Sequence, residues 1–308
     1  MTLSKIARLA NVSVSTASKA FSMSPDISEQ MREHVFEVAK KHGCFKKFYN
    51  VKYPRLVIAI VCPELGSIYY GTLIEEIQKG LGALGCEVCI SNSMFSRAAT
   101  DTSIGYFSDY SSVDGIISIS EIEHKSELSV PCICPSDVIR VGKSGIDAAL
   151  EYFVQNGVTD IGFIGEPLTS GKLDNFRLAM EKHGLEVRED RIVISQGRFE
   201  KGGYEAMGTL LNNKILPQAV ICAYDNMAMG VIRRIHDAGL SVPKDIAVVG
   251  MDNIPETDYF IPSIASIEYG NVQKARLLAR GIVNEINGVR RSVEMVDENF
   301  ILRESARF

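Results

Sequence analysis

Between positions 13 and 19 stand Ser13, Val14, Ser15, Thr16, Ser18 and Lys19, side chains suited to binding rather than to bond making. Ser13, Thr16 and Ser18 are short hydroxyl donors of the kind that bond phosphate oxygens. Lys19 can reach a guanine edge and Val14 a thymine methyl in a major groove. Read at helical spacing, VSVSTASKAF turns Val14, Ser15 and Lys19 away from Ala17 and Phe21, so the polar and apolar sides separate. An amphipathic helix with a solvated serine face gives the same pattern without nucleic acid.

Other chemistry finds little support. His34, His42, His124, His183 and His236 show no H-x-x-x-H or H-E-x-x-H spacing, so no metal is expected. Cys86 and Cys89 form a C-x-x-C, but GCEVCISNS reads as a strand, on which positions three apart face opposite sides. The seven cysteines are therefore expected to be reduced structural thiols. Asp225 and Asp252 suggest paired carboxylates of the glycosidase type, although a helix cap is the simpler expectation for Asp225. G-x-S-x-G and G-x-x-x-x-G-K-[ST] are absent and no clear G-x-G-x-x-G is present, so neither an enzyme nor a cofactor is expected.

The elements that hold residues 13 to 19 follow from periodicity. Three short helices are expected over roughly 4–10, 14–21 and 29–42, with Ser4, Ser13 and Ser28 placed to cap them. Ile6, Leu9, Ala10, Val12, Ala17, Phe21, Met31, Val35 and Val38 can close a small core. Only Asn11-Val12-Ser13 separates the first two helices, the spacing of a helix-turn-helix. Charge divides along the chain: residues 1 to 55 hold ten Lys/Arg against four acids, and the remainder 23 against 34. A basic head on an acidic body fits a phosphate contact confined to one end.

TLSKIARLANVSVSTASKAFS resembles the head of the lac repressor (LacI/GalR) family of transcriptional regulators, matching at Ala7, Ala10, Asn11, Val12, Ser13, Thr16 and Ser18. It departs at Lys5, Ala17 and Ser22, where Asp, Val and Asn are usual. The resemblance implies DNA contacts from Ser4, Ser13, Val14, Ser15, Thr16, Ser18 and Lys19. Members usually follow the head with a hinge helix that wedges a leucine into the minor groove. Here CFKKFYNVKYP lacks the Ala-Arg pair and offers Phe45, Phe48 or Tyr49, with Lys46, Lys47 and Lys52 able to track phosphates. An aromatic wedge and an ordinary linker with packed aromatics both remain open.

Beyond residue 55, nine apolar runs alternate with amphipathic stretches, the pattern of parallel sheets covered on both faces. The runs are RLVIAIVC, CEVCISNS, DGIISIS, PCICPS, DIGFIG, RIVIS, AVICAY, IAVVGMD and SIASIEY, many for one sheet and natural for two. The expected fold is a small all-α helix-turn-helix head plus an α/β body of two doubly wound parallel-sheet lobes. The expected boundaries are a head over 1–45, a linker over 46–55 and a ligand-sensing domain over 56–308. Lobe 1 should take about 56–139 and 268–293, and lobe 2 about 140–267 and 294–308, with crossings near 140, 267 and 293. The body resembles the same family through VDGIISIS, NFRLAMEKHGL and PQAVICAYDNMAMGVIRRIHDAGLSVPKDIAVVGMDN, which implies lobes like those of periplasmic sugar-binding proteins. Carried over by that resemblance, the effector-lining positions are Tyr69, Tyr70, Arg140, Lys172, Phe199, Tyr224, Asp252, Tyr269 and Asn271. Arg140 and Lys172 with Asp252 suggest an acidic or phosphorylated effector, unless the cations pair locally or face solvent.

The expected protein is thus a cytoplasmic, ligand-responsive regulator, a repressor by family habit, that binds palindromic operator DNA. No signal-peptide h-region and no long uncharged apolar run is present, so no membrane partner is expected. With no leucine heptad after RESARF, a homodimer is expected. The alternatives are control by a protein corepressor in place of a small molecule, and a solute-binding module, which would need export.

Overall fold

The computed structural model describes residues 1–49, 55–212 and 216–308, and the chain divides into two compact units, Met1–Leu56 and Val57–Phe308. In the first unit, α1 (Leu3–Leu9), α2 (Val14–Phe21) and α3 (Glu29–Lys41) are followed by one further turn, α4 (Phe45–Phe48). Ser13 and Ser28 cap α2 and α3 by accepting the Thr16 and Met31 N–H groups. Thr2 performs this task for α1, so Ser4 is an exposed residue inside the helix and not its cap. Ile6, Ala7, Ala10, Ala17, Ala20, Phe21, Val35 and Ala39 form the buried centre. Leu9 and Met31, expected in this core, are 42% and 38% exposed. Their places are taken by aromatic rings: Phe21 lies 5.6 Å from Phe36 and 5.5 Å from Phe48, and Phe45 stacks on Tyr49 at 4.8 Å. Phe48 and Tyr49, read as linker aromatics, therefore belong to the head core. A buried ring removes far more apolar surface from water than an alanine does, and a unit this small needs the addition.

The second unit holds twelve short strands among the described residues. Strands β1 (Val57–Cys62), β2 (Glu87–Asn92), β3 (Gly115–Ser118) and β4 (Cys132–Ile133) form a parallel sheet in the order β2-β1-β3-β4. After β5 (Ile139–Val141) come β6 (Ile161–Gly165), β7 (Ile192–Ile194), β8 (Ala219–Cys222), β9 (Ala247–Met251), β10 (Ala265–Glu268), β11 (Glu294–Val296) and β12 (Asn299–Ile301). Six of these make a second sheet in the order β12-β10-β9-β8-β6-β7, parallel except for β12, while β5 and β11 pair with each other. All nine apolar runs are strands. The three added ones are too short and polar to announce themselves by pattern. Every residue of β6, β8 and β9 is buried although successive side chains point to opposite faces, so this sheet is covered on both sides.

The helices between the strands are α5 (Ile68–Ala83), α6 (Arg97–Asp109), α7 (Gly145–Gln155), α8 (Ser170–Lys182), α9 (Phe199–Asn212), α10 (Asp225–Asp237), α11 (Glu256–Tyr259) and α12 (Asn271–Ile286). Helix α12 leaves the six-stranded sheet and returns to the four-stranded one. There Ile282 and Ile286 fill the space left by the absent side chain of Gly115. With β5 and β11, it carries the chain from one lobe to the other. Helices α9 and α10 touch through glycines: a Cβ at Gly203 would lie 2.0 Å from the Met227 carbonyl oxygen, and one at Gly230 would lie 1.9 Å from that of Glu200.

That contact leaves no room for a methyl group. Gly203→Ala should lower stability by about 1–3 kcal/mol, as overpacking against backbone does. Gly82→Ala, in α5 with nothing near the added Cβ, should be neutral or stabilising by up to about 1 kcal/mol. Urea unfolding of the two variants beside the native chain tests the contrast.

Candidate functional site

Two surfaces carry the candidate residues, one in each unit. In the head, α2 buries Ala17, Ala20 and Phe21 and exposes Val14, Ser15 and Ser18 on the other side. The hydroxyl of Ser13 is already engaged, accepting the Thr16 N–H at 2.9 Å and sharing a hydrogen bond of 2.8 Å with the Thr16 hydroxyl. Lys19 is half-buried and pairs with Asp26 at 2.9 Å, and the ammonium holds the Asp26 carboxyl below its ordinary range. Lys47 donates to the Met1 carbonyl oxygen at 3.1 Å. Lys46 lies in the same turn, α4, and Lys52 falls outside the described residues.

In the body, a cavity of about 520 Å³ opens between the lobes, at the carboxyl ends of the strands. Open parallel sheets collect ligands there, because the loops leaving the strands converge. From the first lobe come Glu64 after β1, Tyr69 and Tyr70 in the first turn of α5, and Phe95 after β2. Ser67 caps α5 by accepting the Tyr70 N–H, which fixes the entry of both tyrosines. From the second come Glu166 after β6, Lys172 in α8, Arg198 and Phe199 at the start of α9, and Tyr224 after β8. Asp252 after β9 and Tyr269 after β10 complete the wall, with Lys274 of α12 and Glu298. Phe95, Phe199 and Asp252 have positive φ values of 57°, 54° and 102°, unfavourable for L-residues. Hydrogen bonds hold all three: the Phe199 N–H donates to the Tyr224 hydroxyl at 2.9 Å, the Asp252 N–H to the Ile267 carbonyl at 2.8 Å, and the Phe95 N–H to the Pro63 carbonyl at 3.1 Å.

The charges around this cavity are largely matched. Lys172 donates to Asp252 at 3.0 Å and to the Ala223 carbonyl at 2.7 Å, and its ammonium sits 5.1 Å from the Tyr269 ring centre. Arg198 donates to both oxygens of Glu64 and to Glu166. Burial raises the Asp252 carboxyl despite Lys172, and burial lowers the Lys274 ammonium. Burial also pushes the phenols of Tyr70 and Tyr224 up to about 12, so both remain hydrogen-bond donors at neutral pH. The lining thus holds three cations, four carboxylates and six aromatic rings.

The two ends of the chain match known sequence families. Residues 2–44 match the bacterial regulatory proteins of the lacI family, and residues 150–306 match a periplasmic binding protein-like domain. The chain belongs to the lacI family of bacterial regulatory proteins. The chain is 27% identical to the probable HTH-type transcriptional repressor ExuR of Bacillus subtilis (strain 168), an alignment covering 100% of this chain and 98% of that one. It is 26% identical to the HTH-type transcriptional repressor PurR of Proteus mirabilis (strain HI4320), over 96% and 93%. Among solved structures it is similar to a transcriptional regulator CelR–cellobiose complex, with a TM-score of 0.70 and 24% identity over 99% of both chains. It is also similar to the lac repressor dimer bound to operator and the anti-inducer ONPF, with a TM-score of 0.72 and 19% identity over 99% of this chain and 98% of that one. This lacI-family protein is a ligand-responsive, DNA-binding transcriptional regulator and not an enzyme. Among the described residues no helix is long and apolar enough to cross a membrane, and no acid, Cys and His cluster is placed to hold a metal ion.

In this regulator Tyr69, Tyr70, Lys172, Phe199, Tyr224, Asp252 and Tyr269 meet around one cavity. Arg140 is a correction. It does not line the cavity but is exposed on β5, its guanidinium donating to the carbonyl oxygens of Ser136 and Ile139. Asn271, at the start of α12, does not line it either. With Arg140 outside and Lys172 neutralised by Asp252, the cationic cleft that suggested an anionic effector is not formed. Glu64, Phe95, Glu166, Arg198, Lys274 and Glu298 were missed because they stand in loops or on polar helix faces without periodic signal. Asp225 does not cap α10: its carboxylate lies in the core, accepting the Ser266 hydroxyl at 2.6 Å and the Ile254 N–H at 2.9 Å. Gly250 makes room for it, since a Cβ there would lie 2.1 Å from Asp225 Oδ1.

Burial pushes the Asp225 carboxyl up to about 7, with nearby Asp252 adding to the rise and the Ser266 hydrogen bond opposing it. The folded chain therefore keeps a proton that the unfolded chain releases near 3.8. This contribution to stability is complete below that value and is lost as pH rises through about 7. Between about pH 4 and 7 the native chain should lose stability relative to Asp225→Asn, which cannot ionise. Paired thermal unfolding curves across that range check the sign.

Proposed function

We propose that this regulator is a repressor that binds palindromic operator DNA as a homodimer and senses a small neutral carbohydrate in the interlobe cavity. The observation that carries the effector class is the lining: rings from Tyr69, Tyr70, Phe95, Phe199, Tyr224 and Tyr269 around the Lys172–Asp252 pair and the Arg198 pairs with Glu64 and Glu166. Aromatic rings cover the apolar faces of a sugar, and carboxylate oxygens such as those of Asp252 accept its hydroxyl protons. An effector with a net negative charge would have to compete with Asp252 for Lys172 and with Glu64 and Glu166 for Arg198. The cavity volume falls within the range of small-molecule sites, and the solved cellobiose complex of a protein with this fold supports the reading.

On the DNA side, Val14, Ser15, Ser18 and Lys19 of α2 supply the groove contacts and Ser4 and Thr16 phosphate contacts, with the Ser13 hydroxyl shared with its cap. Lys46 and Lys47 are the further cations of the head that track phosphates. The head is the DNA-binding unit and residues 57–308 the sensing unit. Two heads in a dimer match the two half-sites of a palindrome, as supported by the solved lac repressor dimer on its operator. The protein works in the cytoplasm, where the DNA is.

A thermal-shift panel of neutral sugars, sugar acids and sugar phosphates tests the effector class, since a ligand that binds the native state alone raises its stability. Neutral sugars, cellobiose included, should stabilise the full chain, and Phe199→Ala should weaken that binding about tenfold through loss of a stacking ring. Stabilisation by anionic compounds alone would overturn the neutral class. No stabilisation, with DNA still bound, would leave control by a protein partner. For the head, Lys19→Ala should weaken binding to a duplex selected from a random pool and reduce its log–log salt slope by about 1, as read by fluorescence anisotropy.

A further inference from the structure

Ion pairs at the cavity differ in what they connect. Lys172 and Asp252 both belong to the second lobe, so their pair stays intact however the lobes move apart. Arg198 is different. From the start of α9 in the second lobe, its Nη1 and Nη2 donate to the two oxygens of Glu64 at 2.8 and 3.1 Å, and Glu64 follows β1 of the first lobe. Its Nε donates to Glu166 of its own lobe at 2.8 Å. The guanidinium carbon lies 4.6 Å from the Phe199 ring centre and 5.5 Å from that of Phe95, the latter again from the first lobe.

We propose that Arg198 is a positioning residue of the effector cavity, clasping the two lobes through Glu64 and Phe95 so that the cavity is held closed before any effector enters. A planar guanidinium suits the task, because its fixed fork meets both Glu64 oxygens while its third side holds Glu166 and its faces remain free for rings. Lysine, with a single ammonium, cannot reproduce this. Glu64 and Glu166 side chains are 16% and 4% exposed and that of Arg198 31%, so water screens these bonds less than it screens surface pairs. Lobes that open must break both Arg198–Glu64 bonds and separate the guanidinium from Phe95. A clasp of this kind lowers the cost of reaching the closed form and so raises the apparent affinity of any effector that binds it. That consequence rests on the cavity being the effector site, whereas the closure itself does not.

The test is amide hydrogen exchange on the full chain without ligand, followed at residues 67–71 and 95–99 in the first lobe and 198–202 in the second. Glu64→Gln removes the charge across the lobes, and Glu166→Gln removes the charge within one lobe. Glu64→Gln should speed exchange in all three segments by about five-fold, the factor that follows from losing one partly buried pair. Glu166→Gln should leave the two first-lobe segments as they are. Unchanged exchange in Glu64→Gln, or equal effects from both variants, would overturn the clasp and leave Arg198 as a packing residue of the second lobe. Exchange in β6 and β9 reports whether each variant is folded. Should Glu64→Gln disturb them, the comparison passes to Arg198→Lys, which keeps the charge, loses the bidentate fork and should speed exchange at the first-lobe segments. No effector is needed, so a failed carbohydrate screen and a failed clasp are separate results.

Discussion

A parallel sheet buried on both faces leaves polar side chains almost nowhere to go except the loops at its strand ends, and the body of this protein follows from that constraint. β6, β8 and β9 are wholly buried, so charged groups in their midst would have to be desolvated at a cost of several kcal/mol each. Glu64, Glu166, Tyr224 and Asp252 instead stand just beyond β1, β6, β8 and β9. Because two such sheets share one chain through β5, β11 and α12, their strand ends form the walls of a single cavity.

Concentrating charge there requires that it be balanced. Asp252 is paired with Lys172, and Glu64 and Glu166 share Arg198. Asp225 departs from this pattern: it has hydrogen-bond donors but no directly paired cation, and burial pushes its carboxyl up to about 7. A buried carboxyl that keeps its proton needs no counter-charge, only donors and acceptors. Pairing within the wall also turns the cavity from a cationic trap into a surface of rings and hydrogen-bonding oxygens.

The head solves a different problem. It must hold α2 rigidly from a core built largely of alanines, which allow helices to approach closely but remove little apolar surface. The ring cluster of Phe21, Phe36, Phe45, Phe48 and Tyr49 supplies the missing burial. It draws in the segment after α3 as α4, where relatives of this family usually begin a hinge. Residues that looked available for a wedge into a groove are thereby committed to the fold. On α2 itself, Lys19 is held by Asp26, so the exposed face of this helix carries its cation in a pair.

The sequence by itself determined the local elements. Caps at Ser13 and Ser28, the three-residue turn and nine apolar runs produced the head helices and nine strands, since helix and strand periods are written in neighbouring residues. It also delivered the aromatic lining at Tyr69, Tyr70, Phe199, Tyr224 and Tyr269, through family resemblance and not through any local pattern. Tertiary structure decided which charges meet. Arg140 and Lys172 look alike along the chain, yet one lies on an exposed strand and the other faces Asp252, 80 residues away. Glu64 and Arg198, separated by 134 positions, meet only because the two lobes do. Periodicity records which way a side chain points within its own element, whereas ion pairing depends on distances across the fold, which no local pattern contains.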